Sequence, residues 1–445
     1  MATVIFMPFH WDANINSTFA VARGMQKRGH RVHYLCIPDN EERIRAQGFD
    51  FIPIFSEVFP KGALQEQYSN EANGKHQGLD GFRSRILGMC DLMRKGAIGD
   101  AVRGLHPDLF FVSCATPWIG IGAQTTGAPV ITFSSSLISV WDPLVPPFET
   151  GLIPDSSLSS RIKNVLAWRR SALRRCMTGI GGPSIFDDVR EFARCCKYPL
   201  ERIDFNVETW PLLKLPNLVF CPRDFDFPRS REPESAYFVE PSIDEERVDD
   251  DFSWDWLREG KPLIYCSLGS VATFKYARRA ARFFQVFMNA MAKRPDRQGV
   301  VTIGDYLRAE DFDCPANVLI VRNAPQIEML KRASTMVGHG GFSGIKECIF
   351  TAVPMVLLPM FYDHPGNAAR VVYHGLGVRG KFDRIDAPGL NQLIDEALGN
   401  PSYSAKITTM SRTFIELQRR QPGVDVIENI LNKAHIAHRQ SRIAH

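Results

Sequence analysis

The chain has no Cys-x-x-Cys pair, no Cys/His set at metal-ligand spacing, no low-complexity tract and no short-period repeat. Ten cysteines without a framework spacing exclude a disulfide-stapled scaffold and a zinc-ribbon type of fold. Cys36, Cys221 and Cys266 fall inside apolar strands, where a small buried thiol is ordinary core, and the adjacent Cys195-Cys196 pair on a predicted helix is expected to be reduced. No apolar run approaches the roughly 20 residues that a bilayer-spanning helix needs, so stable membrane insertion is not expected. The start, Met-Ala-Thr-Val-Ile-Phe, runs into a strand without a basic region and cleavage site. A reducing cytoplasm is the expected location. Charge of one sign is also scarce. The 53 basic and 49 acidic residues leave a net charge of +4 spread along the chain. No basic stripe with interleaved aromatics emerges, so nucleic acid is not an expected partner.

What is present is soluble globular composition, 44% hydrophobic and 23% charged, over 445 residues. That is too long for one ordinary core, and two domains are expected. Short runs rich in β-branched and aromatic residues at Val4–Phe9, Arg31–Ile37, Phe49–Ile54, Leu109–Ser113 and Val130–Ser134 read as parallel strands buried on both faces. Between the first two, Ile15, Phe19, Ala22 and Met25 share one helix face that stops near Gly29, which is a βαβ opening. The glycine-rich excursion 55–105 reads as a binding lid. Helix returns over 158–196, where Arg161, Lys163, Arg169, Arg170, Arg174 and Arg175 flank Ile162, Val165, Leu166, Trp168 and Leu173. A solvated basic face on a packed helix is favoured there over a membrane-surface helix.

Four prolines (222, 228, 233, 241) and the acidic run Asp244–Asp251 mark an interdomain linker. The alternation then restarts with strands at Leu263–Ser267, Val300–Ile303, Val318–Val321, Met336–Gly338 and Met355–Leu358, a helix over 275–293, and closing helices over 387–398 and 402–435. The expected organisation is α/β: two doubly wound Rossmann-like domains facing each other across a cleft. They span 1–228 and 262–420 and are joined by a linker at 229–261. A carboxy-terminal helix, 421–445, is expected to return to the first domain.

Two strand-to-helix turns carry the chemistry. Gly338-His-Gly-Gly-Phe-Ser-Gly344 lets backbone N–H groups approach a phosphate while a helix starting near Phe342 directs its positive end at the same place. Ser267-Leu-Gly-Ser270 offers further donors, or is a plain βα turn. Both fall at strand C-terminal ends, where open α/β sheets bind ligands. His339 suits donation to a diphosphate oxygen. Glu347, one to two turns down the helix, suits ribose hydroxyls or is a solvated helix residue. Ala324-Pro-Gln326 starts a short helix able to face a nucleobase.

The segment 323–370 resembles the donor-binding signature of UDP-dependent glycosyltransferases with the GT-B fold, in particular the soluble bacterial macrolide- and zeaxanthin-type branch. The matching pieces are Ala-Pro-Gln at 324–326, His-Gly-Gly at 339–341, Glu347, Val-Pro-Met-Val at 353–356, Asp363 and Gly-Asn-Ala at 366–368. The resemblance implies that Ala324 and Gln326 meet uracil and ribose, and that Glu347 accepts from the ribose. Ser270, His339 and the backbone of Gly340, Gly341, Phe342, Ser343 and Gly344 hold the diphosphate, and Asp363 and His364 bind sugar hydroxyls. It implies no cofactor and no metal, the nucleotide sugar being a co-substrate. The partners are then that sugar nucleotide and a small aromatic or polyketide-like acceptor, in a monomer or homodimer.

The sequence also departs from the family. The base position in the first domain, where the family carries His, is Asn14, and the position of its acidic partner is Ser113. Asn14 cannot accept a proton usefully. His10 and Asp12, in the turn Pro8-Phe-His-Trp-Asp12, are the candidate replacements, unless this turn only shapes the acceptor wall. Asn323 stands where an aromatic often stacks the base, and His364 where Gln commonly follows the sugar-binding Asp, which leaves base and sugar open. The acceptor wall is expected to include Trp11, Trp118, Trp141 and Phe148. Inverting O-transfer is the expected reaction, with C-transfer to an activated phenol ring as a variant. A nucleotide-sugar 2-epimerase on the same fold and a catalytically degenerate nucleotide-binding partner protein are the rivals.

Overall fold

The computed structural model describes residues 1–73, 78–178 and 184–443. Fifteen strands are present among them: β1 Thr3–Met7, β2 Arg31–Cys36, β3 Asp50–Pro53, β4 Leu109–Ser113, β5 Val130–Ser134, β6 Ile203–Asp204, β7 Leu212–Leu213, β8 Asn217–Val219, β9 Ala236–Phe238, β10 Leu263–Ser267, β11 Gln298–Thr302, β12 Val318–Val321, β13 Thr335–Gly338, β14 Met355–Leu357 and β15 Gly377–Arg379. They build a seven-stranded sheet in the order β3-β2-β1-β4-β5-β8-β9, a six-stranded sheet in the order β12-β11-β10-β13-β14-β15, and a small β6-β7 pair. Every pairing within the two large sheets is parallel. The central strands β1, β4, β5 and β10 are buried along their whole length, which is why they read as unbroken apolar runs.

In each sheet the strand order reverses at one place, between β1 and β4 and between β10 and β13. Such switch points open a crevice at the strand carboxyl ends. In the second sheet Ser267 lies in register with Gly338, so the two turns predicted to bind phosphate are neighbours. In the first sheet the same rule sets the turn after β1, with His10 and Asp12, beside the end of β4.

Three boundaries differ from the sequence reading. The expected linker 229–261 contains β9, the edge strand of the first sheet, so the first domain runs at least to Phe238. Gly269, with φ +71°, already begins a helix through Lys275, ahead of the predicted helix, which occupies Ala277–Ala292. The closing helix is divided at Gln421, φ +50°, into Pro401–Arg420 and Pro422–Ile443. After that break the last helix packs on the first domain. Val424, Ile427 and Leu431 join the core formed by Phe19, Ala22 and Met25, and Arg28 pairs with Asp425 at 2.6 Å and Glu428 at 2.7 Å.

The 55–105 excursion is helical in its described part, with Ala63–Ala72, Gly78–Arg94 and Ala97–Val102; residues 74–77 of it lie outside the described residues. Its first helix reaches the second domain, where Tyr68 stacks on Phe274 with centroids 4.0 Å apart and the Tyr306 hydroxyl lies 3.1 Å from Gln65 Oε1. The domains are also joined by a buried ion pair. Arg370 Nε donates to Asp226 at 2.8 Å, and its guanidinium lies between the rings of Phe148 and Phe227, 4.4 and 4.3 Å from their centroids. Fully buried charges persist only when paired and hydrogen-bonded in this way. The described cysteines are free thiols, and no helix among the described residues is long and apolar enough to cross a membrane.

Candidate active site between the two domains

Both switch points open into one cavity of about 1720 Å³. A drug-sized ligand pocket is on the order of 300–1,000 Å³, so this space accommodates two substrates side by side. From the second domain it is lined by Ser270, Ala324, Gln326, His339, Gly341, Phe342, Ser343, Gly344, Glu347, Asp363 and His364. Nearly the whole predicted donor set therefore shares one wall. Gly340 stands behind it. Its φ of +91° requires glycine, and a Cβ there would come within 3.1 Å of the His364 carbonyl.

The helix Phe342–Phe350 starts at this wall, with Gly341 as its N-cap residue. His339 lies against the same turn. A Cβ at Gly269 would stand 2.9 Å from its Cε1, and one at Gly341 would collide with Nε2, so both glycines make room for the imidazole. The His339 and His364 rings meet edge to face at 4.5 Å, and Nδ1 of each is buried without a partner. Burial and the His364 ring push the His339 imidazole down to about 3, against the backbone of Ser267 and the charge of Asp363. Burial alone brings His364 down to about 3. Two neutral rings with unpartnered nitrogens beside a helix N-terminus suit an anionic ligand that supplies the missing partners.

Glu347 is buried and accepts from Gln326 Nε2 and, at 3.2 Å, from Arg247 Nη1. Arg247 was not found from the sequence. It arrives from the segment joining the domains and also grips Asp249 through Nε at 2.7 Å and Nη2 at 3.0 Å. Burial works against its charge, but Glu347 and Asp249 outweigh it and hold the guanidinium more firmly protonated than usual. Asp363 Oδ2 accepts from Ser136 Oγ at 2.9 Å and from Asn367 Nδ2 at 3.0 Å, so the residue assigned to the sugar also ties the two domains together.

The first-domain wall contains His10, Trp11, Asp12, Asn14, Phe148, Glu208 and Trp210. Asn14 closes the turn after β1: its Oδ1 accepts from Phe9 N at 2.7 Å and its Nδ2 donates to Ser135 Oγ at 3.0 Å. Ser113 is buried and accepts from Ala115 N. Asn14 and Ser113 thus hold loops. His10 packs on Phe9 and Phe59, with centroids at 4.2 and 5.7 Å, and burial plus the Arg85 charge push it down to about 3. Asp12 begins the helix Asp12–Lys27, is 42% exposed and pairs with Arg43 at 3.2 Å.

Two acceptor-wall assignments are corrected. Trp118 is wholly buried in the first-domain core, beside Trp210, and does not reach the cavity. Trp141 is exposed outside it. Apolar aromatic character marked them, but only the fold separates a core face from a cleft face. Trp210 and Glu208 lay in a stretch without periodicity and were missed. Glu208 accepts from Ser139 Oγ and from the backbone N–H groups of Phe148 and Glu149 at 2.6–2.8 Å, and thereby shapes the 139–149 wall.

The three depressed histidines give a pH prediction. A histidine near 6.5 when unfolded and near 3 when folded adds stability that is complete above about pH 6.5 and is lost as pH falls toward the folded value. His10, His339 and His364 act in the same direction. Each removes at most about 1.4 kcal/mol per pH unit, less for His10 and His339, which water in the cleft partly reaches. The melting temperature is expected to fall steeply from pH 6.5 to 4, with proton uptake on unfolding. A flat profile over that window, measured by circular dichroism, contradicts the buried neutral rings.

The chain is similar to known glycosyltransferases. Residues 223–422 match the family model described as UDP-glucoronosyl and UDP-glucosyl transferase. The chain is 24% identical over 433 residues to 4'-demethylrebeccamycin synthase of Lentzea aerocolonigenes, covering 94% of this chain and 97% of that protein. It is 22% identical over 438 residues to zeaxanthin glucosyltransferase of Pantoea ananas, covering 95% and 94%. Among solved structures it superposes on CalG4, the calicheamicin glycosyltransferase, with a TM-score of 0.66 at 17% identity, over 97% of this chain and 98% of that one. That likeness shows the fold, which is GT-B.

Proposed function

We propose that this chain, a glycosyltransferase whose residues 223–422 match the UDP-glucoronosyl and UDP-glucosyl transferase family model, moves a sugar from a UDP-sugar to a small aromatic or polyketide-like acceptor with inversion. The observation that carries the proposal is the convergence of the predicted donor residues on one wall of a cavity large enough for both substrates. Gln326 and Glu347 receive the nucleoside, with Arg247 fixing the Glu347 carboxylate. The helix beginning at Phe342, Ser343 and His339 take the diphosphate, and Asp363 with His364 takes the sugar.

The reaction is a single displacement. The acceptor nucleophile attacks the anomeric carbon from the first-domain side as the bond to the diphosphate oxygen breaks, and UDP leaves with the bonding pair. Charge growing on the diphosphate is met by fixed N–H donors and the helix N-terminus, which do not reorganise during the step. The acceptor proton passes to a base on the facing wall. Asp12, 42% exposed at the cleft, suits that role better than His10, which is packed on Phe9 and Phe59. An acidic phenol is the acceptor such a carboxylate serves best.

Mass spectrometry of reactions pairing several UDP- and dTDP-sugars with a phenolic and macrolide acceptor library tests the proposal. A product heavier than its acceptor by one glycosyl unit, formed with release of UDP, is the expected outcome. UDP-sugar converted without acceptor identifies an epimerase instead, and UDP binding without consumption across the panel identifies a non-catalytic nucleotide-binding protein.

A further inference from the structure

The helix Leu158–Thr178 is inverted relative to an ordinary surface helix. The face turned to the protein is mainly polar: Ser160, Asn164, Trp168 and Ser171 are buried. Asn164 Nδ2 donates to the carbonyls of Pro143 and Leu144 at 3.3 and 3.1 Å, and Trp168 Nε1 donates to that of Val145 at 2.8 Å. The outward face carries Leu158, Ile162, Leu166 and Leu173, exposed by 71%, 52%, 56% and 60%. At helical spacing these four fall within an arc of about 80°, opposite the buried set, and extend along roughly 22 Å of helix. Single exposed apolar residues are unremarkable, but four aligned on one helix face mark an interaction surface.

The charge on the helix itself has one sign. Residues 158–178 contain no Asp or Glu but include Arg161, Lys163, Arg169, Arg170, Arg174 and Arg175. On the helical projection Arg169 falls within the arc of the stripe, Arg161 borders one side of it, and Lys163, Arg170 and Arg174 border the other. Arg174 pairs with Glu149 at 2.9 Å. Arg161, Lys163, Arg169 and Arg170 are in no ion pair among the described residues.

An apolar ridge flanked by Arg161 on one side and by Lys163, Arg170 and Arg174 on the other, with Arg169 among its leucines, matches an anionic lipid surface, in which the leucines enter the acyl boundary and the long basic side chains reach back to the headgroups. A second copy meeting the same face would set these cations against each other. We propose that this helix docks the protein peripherally on an anionic bilayer. Ser171, Arg174 and Arg175 of the same helix line the catalytic cavity, so docking brings the first-domain wall to the lipid edge, from which a lipophilic acceptor enters directly. That last consequence rests on the acceptor reading of the cavity; the docking does not.

The test is co-flotation of the full chain with phosphatidylcholine vesicles, with and without phosphatidylglycerol. Partition is expected only with phosphatidylglycerol, to weaken with added salt, and to drop by about tenfold or more in Ile162→Ser/Leu166→Ser/Leu173→Ser and in Arg161→Gln/Arg169→Gln/Arg170→Gln. All six side chains are exposed, so both variants are expected to melt like the parent. No partition of the parent protein, or equal partition of the variants, overturns the proposal. So does light scattering that shows a lipid-free dimer dissociated by the same substitutions, because the face is then an interface between copies. Vesicle binding is read without turnover, so its failure and the failure of the glycosyltransfer reading are separate results.

Discussion

Asp12→Asn is expected to lower kcat by about 10²- to 10⁴-fold, the usual contribution of a positioned general base, while UDP affinity is unchanged and His10→Ala alters kcat little. The carboxylate stands at the first turn of its helix, 42% exposed, with Arg43 at 3.2 Å to orient it. Its charge is felt across the cleft. Burial first, and then Asp12, raises the Tyr68 hydroxyl, and burial, Asp305 and Asp12 do the same to Tyr306 of the second domain. His10, in contrast, is packed between Phe9 and Phe59 and held down to about 3. The discriminating measurement is kcat for each variant over acceptors of graded acidity. Loss in Asp12→Asn should grow as the acceptor hydroxyl becomes less acidic. Wild-type turnover in Asp12→Asn, or an equal loss in His10→Ala, removes Asp12 from the role.

The donor wall was legible in the sequence because each of its requirements is local. A glycine turn, a helix start and a buried strand follow one another within 338–358, and sheet register alone sets Ser267 beside Gly338. The three-residue strands β8, β9 and β15 were not legible, whereas β14, equally short, was, because its apolar run is bracketed by Pro354 and Pro359. Arg247 was hidden for another reason. It lies in an acidic linker, and its pairing with Glu347 spans 100 residues of sequence, which only the closed fold brings together. The acceptor wall was least legible. Trp118 and Trp210 lie 6.0 Å apart, yet one is core and the other faces the cavity. Nothing in the composition of their neighbours distinguishes them.

His339→Ala is expected to lower kcat by about 10²–10³-fold, the effect of removing one preorganised donor from a site of developing negative charge, about 2.7–4 kcal/mol of transition-state stabilisation. The imidazole is closely packed yet keeps an unused polar atom. Its Nδ1 is buried without a partner, and the turn around it is cleared of side chains by Gly269 and Gly341. Held down to about 3 by burial and by the neighbouring His364, it is neutral at working pH and offers one N–H. A neutral donor binds a resting diphosphate modestly and the departing, more negative one more strongly, so the loss should appear in kcat more than in KM. The nucleoside contacts lie elsewhere, on Gln326 and Glu347, so inhibition by uridine should be unchanged in His339→Ala while inhibition by UDP weakens. His339→Gln, which restores an N–H at similar reach, should recover part of the turnover. A variant that melts like the parent and retains its kcat would place the diphosphate away from His339, leaving the helix beginning at Phe342 to hold it alone.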